Sequence, residues 1–118
     1  MAKFVIHETN GLNGKVKISG AKNSALPIIA ASLLTEKKSV IKEVPYLNDV
    51  KIMCELLKLL GVKVHISETK DRLEIIPGNN INNKAAPYEL VSKMRASFLI
   101  TGPLLARTGY AKVPLPGG

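Results

Sequence analysis

Residues 15–34 read KVKISGAKNSALPIIAASLL, and this stretch sets the architecture. Lys15 to Ser19 alternates polar and apolar residues, the pattern of a half-buried strand. Ser19-Gly20 interrupts it, and an apolar run follows that reads as a helix from about Asn23 or Ser24 to Leu34. Pro27 is expected in the helix's first turn, where a missing N–H costs nothing. Ala25, Leu26, Ile28, Ile29, Ala30, Ala31, Leu33 and Leu34 cover nearly the whole circumference, which predicts a helix buried among other elements. A strand feeding such a helix makes this an α/β chain. Lys22 and Asn23 stand at the mouth of an otherwise apolar element. A helix start offers unpaired N–H groups and partial positive charge, so a lysine beside it suggests an anion in front. Asn23 can donate and accept, which suits a hydroxyl or polarised oxygen. The plainer alternative is an N-cap asparagine beside a solvated lysine.

Outward from this stretch, Lys3 to His7 alternates enough for a strand, and Asn10-Gly11 and Asn13-Gly14 are turn dipeptides. Ser39 to Val44 is a short strand. Asn48 suits the N-cap of a second helix, Asp49 its positive end, and Gly61 its C′ position. Ile52, Met53, Leu56, Leu57, Leu59 and Leu60 form its apolar stripe. Val62 to Ile66 and Arg72 to Ile76 read as a hairpin joined by SETKD. A third helical region is expected from near Pro87 to about Leu105, broken or kinked at Gly102-Pro103, followed by a strand over Tyr110 to Val113. The order β, β, α, β, α, β, β, α, β shows no close repeat, yet βαβαββ could be one unit of a larger symmetric fold.

The 118 residues suit one domain, and 46% apolar content suffices for a core. No apolar run reaches the roughly 18–20 residues of a membrane span, and no secretory signal opens the chain. A single cysteine, Cys54, excludes an internal disulfide, fits a reducing cytoplasm and reads as a core residue. The 17 basic and 9 acidic residues give a net charge of +8, which favours anionic partners. The lysines are scattered and only five aromatics occur, which argues against nucleic acid. His7 and His65 are isolated, and no cluster has metal-ligand spacing. Arg95, in KMRAS, either snorkels to solvent or forks onto a carboxylate or phosphate. Arg107 could pair with a helix C-terminus, Lys112 could be a surface charge, and LPGG (115–118) is flexible backbone able to approach a ligand closely.

Taken together, LNGKVKISGAKNSALPIIAASLL, VPYLNDVKIMCELLKLLGVKV, APYELVSKMRAS and GPLLARTGYAKVPLPGG resemble the N-terminal part of the UDP-N-acetylglucosamine 1-carboxyvinyltransferase family. The resemblance implies transfer of an enolpyruvyl group from phosphoenolpyruvate to the 3′-hydroxyl of UDP-N-acetylglucosamine, with release of phosphate. That reaction is the first committed step of peptidoglycan synthesis in the bacterial cytoplasm. The implied fold is an enolpyruvyl-transferase-type domain of repeated β-α-β-α-β-β units around buried helices, incomplete here. Residues 1–20 would pack with a second domain, and residues 21–118 would form part of the first. Lys22 and Asn23 match the residues that contact phosphoenolpyruvate, and Arg95 matches the arginine assigned to UDP-N-acetylglucosamine. The resemblance implies no cofactor, no metal and no catalytic residue in this chain, because the family's general acid would follow Gly118. The chain is therefore expected to be an N-terminal fragment, inactive and association-prone alone, which a complementary C-terminal chain could complete. Two alternatives stand beside it: a 3-phosphoshikimate 1-carboxyvinyltransferase-like enzyme, against which the Lys-Asn pair argues, and a non-catalytic anion-binding remnant.

Overall fold

The computed structural model describes residues 2–67, 69, 71–82 and 88–115. Helix α1 (Lys22–Ala31) leads through a 3₁₀ turn (Ser32–Leu34) to β1 (Ser39–Lys42), then α2 (Asn48–Leu59), β2 (Lys63–Ser67) and β3 (Arg72–Ile76). A short helix α3 (Tyr88–Val91), a 3₁₀ segment (Arg95–Ile100) and α4 (Thr101–Thr108) follow. The strands form one antiparallel sheet in the order β1-β3-β2. The expected hairpin is therefore present, with Val64 opposite Ile75 and Ile66 opposite Leu73. Period-2 alternation turns Leu73 and Ile75 into the core, and Ile41, Val64 and Ile66 pack beside them. Arg72, Glu74 and His65 alternate onto the other face.

The sheet packs on α2 through β2, and α1 packs between α2 and the 3₁₀ segment Arg95–Ile100. Ile29, Leu33, Met53, Leu56, Leu57, Ile100 and Leu104 are fully buried where these elements meet. Burying a side chain of this size contributes about 1.5–3 kcal/mol each, so this cluster holds the fold together. Helix α2 ends as its sequence predicts. Gly61 adopts φ +83°, its N–H bonds the Lys58 carbonyl, and the Val62 N–H bonds the Leu57 carbonyl. That is a Schellman pair, closed by the buried Val62.

Several sequence expectations are corrected. Residues 2–21 carry neither helix nor strand, so Lys3–His7 and Lys15–Ser19 join no sheet among the described residues, and Phe4 is 99% exposed. A strand needs a neighbour to satisfy its backbone, and the described residues offer these segments none. The expected strand over residues 110–113 is likewise not formed among the described residues. Asn48 is the first helical residue of α2 rather than its cap; the cap position is Leu47, with no side-chain hydrogen bond. Helix α1 begins at Lys22, so Pro27 is its sixth residue and lies beyond the first turn. There it can give no N–H to the Asn23 carbonyl. Nor is α1 buried all round, because Ile28 is 51% exposed.

The third helical region divides at Ser92–Met94, not at Gly102-Pro103, which sit in the first turn of α4 where proline is tolerated. Met94 is extended at φ −150°, and the buried Ser97 hydroxyl turns back onto the Met94 and Val91 carbonyls. The expected start at Pro87 and the residues Pro116, Gly117 and Gly118 of LPGG lie outside the described residues. No helix among the described residues is long and apolar enough to cross a membrane.

Candidate anion site at the starts of two helices

The chain enters α1 through Gly20, which passes so close to β1 that no other residue fits. A Cβ there would lie 2.0 Å from the Glu43 carbonyl oxygen. Glu43 itself turns at φ 57°, and the Val44 N–H bonds the Asp71 carbonyl at 2.9 Å, which ties the end of β1 to the start of β3. This junction fixes where α1 begins. Ala21 occupies its cap position, and no side chain caps it. The first N–H groups of the helix thus have no partner within it.

Lys22 is the first residue of α1, and no acidic residue lies in that first turn. Its Nζ donates to Asp49 Oδ2 at 2.9 Å, with the two side chains 43% and 32% exposed. Asp49 sits in the first turn of α2, whose cap position likewise lacks a side-chain bond. The starts of two helices therefore adjoin, each worth roughly half a positive charge. The lysine adds one full charge and Asp49 balances it. The remaining field is positive, the arrangement that holds a phosphate or carboxylate. Asn23 is exposed beside Lys22.

Arg95 opens the 3₁₀ segment that packs on α1, and its side chain is exposed. Among the described residues no hydrogen bond or ion pair joins it to Lys22 or Asn23, so the fold brings the elements together but not the three side chains. Ser97 fixes the turn that presents Arg95.

Sequence reasoning undervalued two residues. Along the sequence Asp49 is a helix-end charge, and nothing local shows that it meets Lys22. Arg107 is not simply a partner of its own helix end. Its Nη1 donates to the Leu33 carbonyl and its Nη2 to the Gly78 carbonyl, both at 2.8 Å, with only 14% of the side chain exposed. It clamps the end of the α1 segment to the loop after β3. Its position in the last turn of α4 was the one available signal. Cys54 is buried, and burial pushes its thiol up to about 11, which fits a core residue and not a nucleophile. On the outer sheet face, a hydrogen bond from Lys38, and then Arg72, hold the Glu74 carboxyl below its usual range.

The fold is that of an enolpyruvyl-transferase type of domain. The crystal structure of the enolpyruvyl transferase NikO from Streptomyces tendae superposes with a TM-score of 0.74, covering 90% of this chain and 24% of that one at 24% identity. The family model of EPSP synthase (3-phosphoshikimate 1-carboxyvinyltransferase) matches residues 6–118, and the chain belongs to that family. Within the family, its relatives include the UDP-N-acetylglucosamine 1-carboxyvinyltransferase of Methylacidiphilum infernorum, 52% identical over 118 residues. The UDP-N-acetylglucosamine 1-carboxyvinyltransferase 2 of Carboxydothermus hydrogenoformans is 54% identical over 118 residues. Each match takes in all of this chain but 27% of the relative, so the chain spans about a quarter of the length of these proteins.

Proposed function

We propose that this chain supplies the phosphoenolpyruvate-binding end of a UDP-N-acetylglucosamine 1-carboxyvinyltransferase. The observation that carries the reading is the Lys22 ammonium, held 2.9 Å from Asp49 where α1 and α2 both begin. In the proposed reaction the 3′-hydroxyl of UDP-N-acetylglucosamine attacks C2 of phosphoenolpyruvate while C3 gains a proton. The tetrahedral adduct then loses phosphate as C3 gives up a proton, which restores the carbon–carbon double bond of the transferred group. Carboxylate and phosphate sit on one small carbon framework throughout, so fixed positive charge lowers the barrier where that charge is concentrated. Lys22 takes the phosphoenolpyruvate anion, Asn23 bonds an oxygen of the same substrate, and Arg95 binds the UDP-N-acetylglucosamine side. The relatives' names and their identity over the whole chain support the choice of sugar nucleotide over shikimate 3-phosphate.

In this reading residues 1–20 pack with a second domain and residues 21–118 belong to the first. The exposed Phe4, Ile6, Leu12, Val16 and Ile18 support that division, since apolar surface of this extent calls for cover. A complementary C-terminal chain would provide the general acid and the rest of the cleft, and the 118 residues alone turn nothing over. The reaction would serve peptidoglycan synthesis in the cytoplasm, and through it cell shape and division.

The test joins this chain to the remainder of the Methylacidiphilum infernorum relative and measures phosphate release with both substrates. Activity is expected with UDP-N-acetylglucosamine and not with shikimate 3-phosphate. Lys22→Gln should lower kcat/KM for phosphoenolpyruvate by about a hundredfold, the size of losing one charge-stabilising donor. Unchanged turnover in that variant would remove the proposal.

A further inference from the structure

We infer that Asp49 is a positioning residue for Lys22: it holds the ammonium ready in front of α1, so that an incoming anion meets a lysine already in place. The inference rests on the reading of Lys22 as the anion-binding group. Its argument starts from a conflict. A cation at a helix N-terminus is disfavoured by the helix's own field. Lys22 is the first residue of α1, and its own first turn offers no acid. A free lysine there would swing away into water, and few side chains have more rotamer freedom to lose. Asp49 resolves the conflict from another element. A carboxylate in the first turn of α2 is favoured by that helix's field, and it bonds Lys22 Nζ at 2.9 Å.

The pair is too exposed to matter much for stability. Its effect falls on binding, because a side chain ordered beforehand is not ordered again when the ligand arrives. Asp49 accepts through one oxygen, whereas an ammonium has three protons. Lys22 can therefore keep this bond while donating to a ligand. The opposite possibility is that Asp49 merely competes with the anion, in which case removing its charge would tighten binding.

The experiment uses this chain joined to the remainder of the Methylacidiphilum infernorum relative, titrated by calorimetry with phosphoenolpyruvate and, separately, inorganic phosphate. Asp49→Asn, which keeps the shape and loses the charge, should weaken phosphoenolpyruvate binding by about tenfold without moving the thermal midpoint. Asp49→Glu should recover part of that loss. In a Lys22→Gln background, Asp49→Asn should cause no further weakening, because it acts only through the lysine. Binding by Asp49→Asn that equals or exceeds wild type, while Lys22→Gln is impaired, overturns the positioning role and leaves the site reading standing. Binding by Lys22→Gln equal to wild type overturns the site reading itself. No heat of binding from the unsubstituted joined protein with either anion removes both.

Discussion

Replacing Arg107 by alanine should be among the most damaging single changes outside the apolar core, and its size follows from two distances. The guanidinium bonds the carbonyls of Leu33 and Gly78 at 2.8 Å each, from a side chain that is largely buried. A hydrogen bond to a charged group contributes about 1.5–3 kcal/mol net. Two such bonds set a ceiling near ~6 kcal/mol. Part is regained, because Gly78 is only half-buried and its carbonyl can be rehydrated once the side chain is gone. The contact with Glu36, at 3.9 Å and largely exposed, adds little. The expected loss is about 2–4 kcal/mol, a large part of the roughly 5–15 kcal/mol that stabilises an ordinary domain. Urea unfolding followed by circular dichroism measures it. With a slope of about 1–2 kcal/mol per molar urea, a loss near the middle of that range moves the midpoint by about 1.5–3 M. Arg107→Lys should recover no more than about half, since an ammonium cannot fork onto two carbonyls in different directions. A midpoint shift below about 0.5 M for alanine, or full recovery by lysine, would refute the clamp.

Gly20→Ala should cost about 1–3 kcal/mol, because its Cβ meets backbone and not a yielding side chain; a urea midpoint equal to wild type would show that the close approach to Glu43 is not made. For Cys54 the sign runs toward alkaline pH. Burial raises its folded-state pKa from 9.0 to about 11, so the contribution is whole below 9.0 and is lost as pH rises toward 11. Urea titrations across that window should show a steeper stability loss for wild type than for Cys54→Val, and parallel curves would count against the buried thiol.

Much of α2 and the hairpin was legible along the chain because the forces that shape them are local. Gly61 allows the left-handed turn that ends α2, and alternation at Leu73 and Ile75 fixes which face of β3 is buried. The split of the third helical region was not legible. Gly102-Pro103 looks like a breaker but falls where a helix tolerates it, whereas the break at Met94 is held by the Ser97 hydroxyl. Half of the candidate site was readable too: Lys22-Asn23 stands out by its place before an apolar helix.

Two pentapeptides show where local reading stops. Lys15–Ser19 is KVKIS and Lys63–Ser67 is KVHIS, four residues of five alike, yet only the second is a strand. Its neighbour β3 lies a short turn away and satisfies its backbone, while the first has no strand partner among the described residues. Composition and periodicity thus determined which segments can be helix or strand, and where positive charge gathers. Tertiary packing decided which of those segments found a partner, that Asp49 would face Lys22, and that Arg107 would reach Leu33 and Gly78. The reason is range: propensity and capping act over a few residues, whereas ladders, clamps and ion pairs exist only once distant segments have been brought within bonding distance.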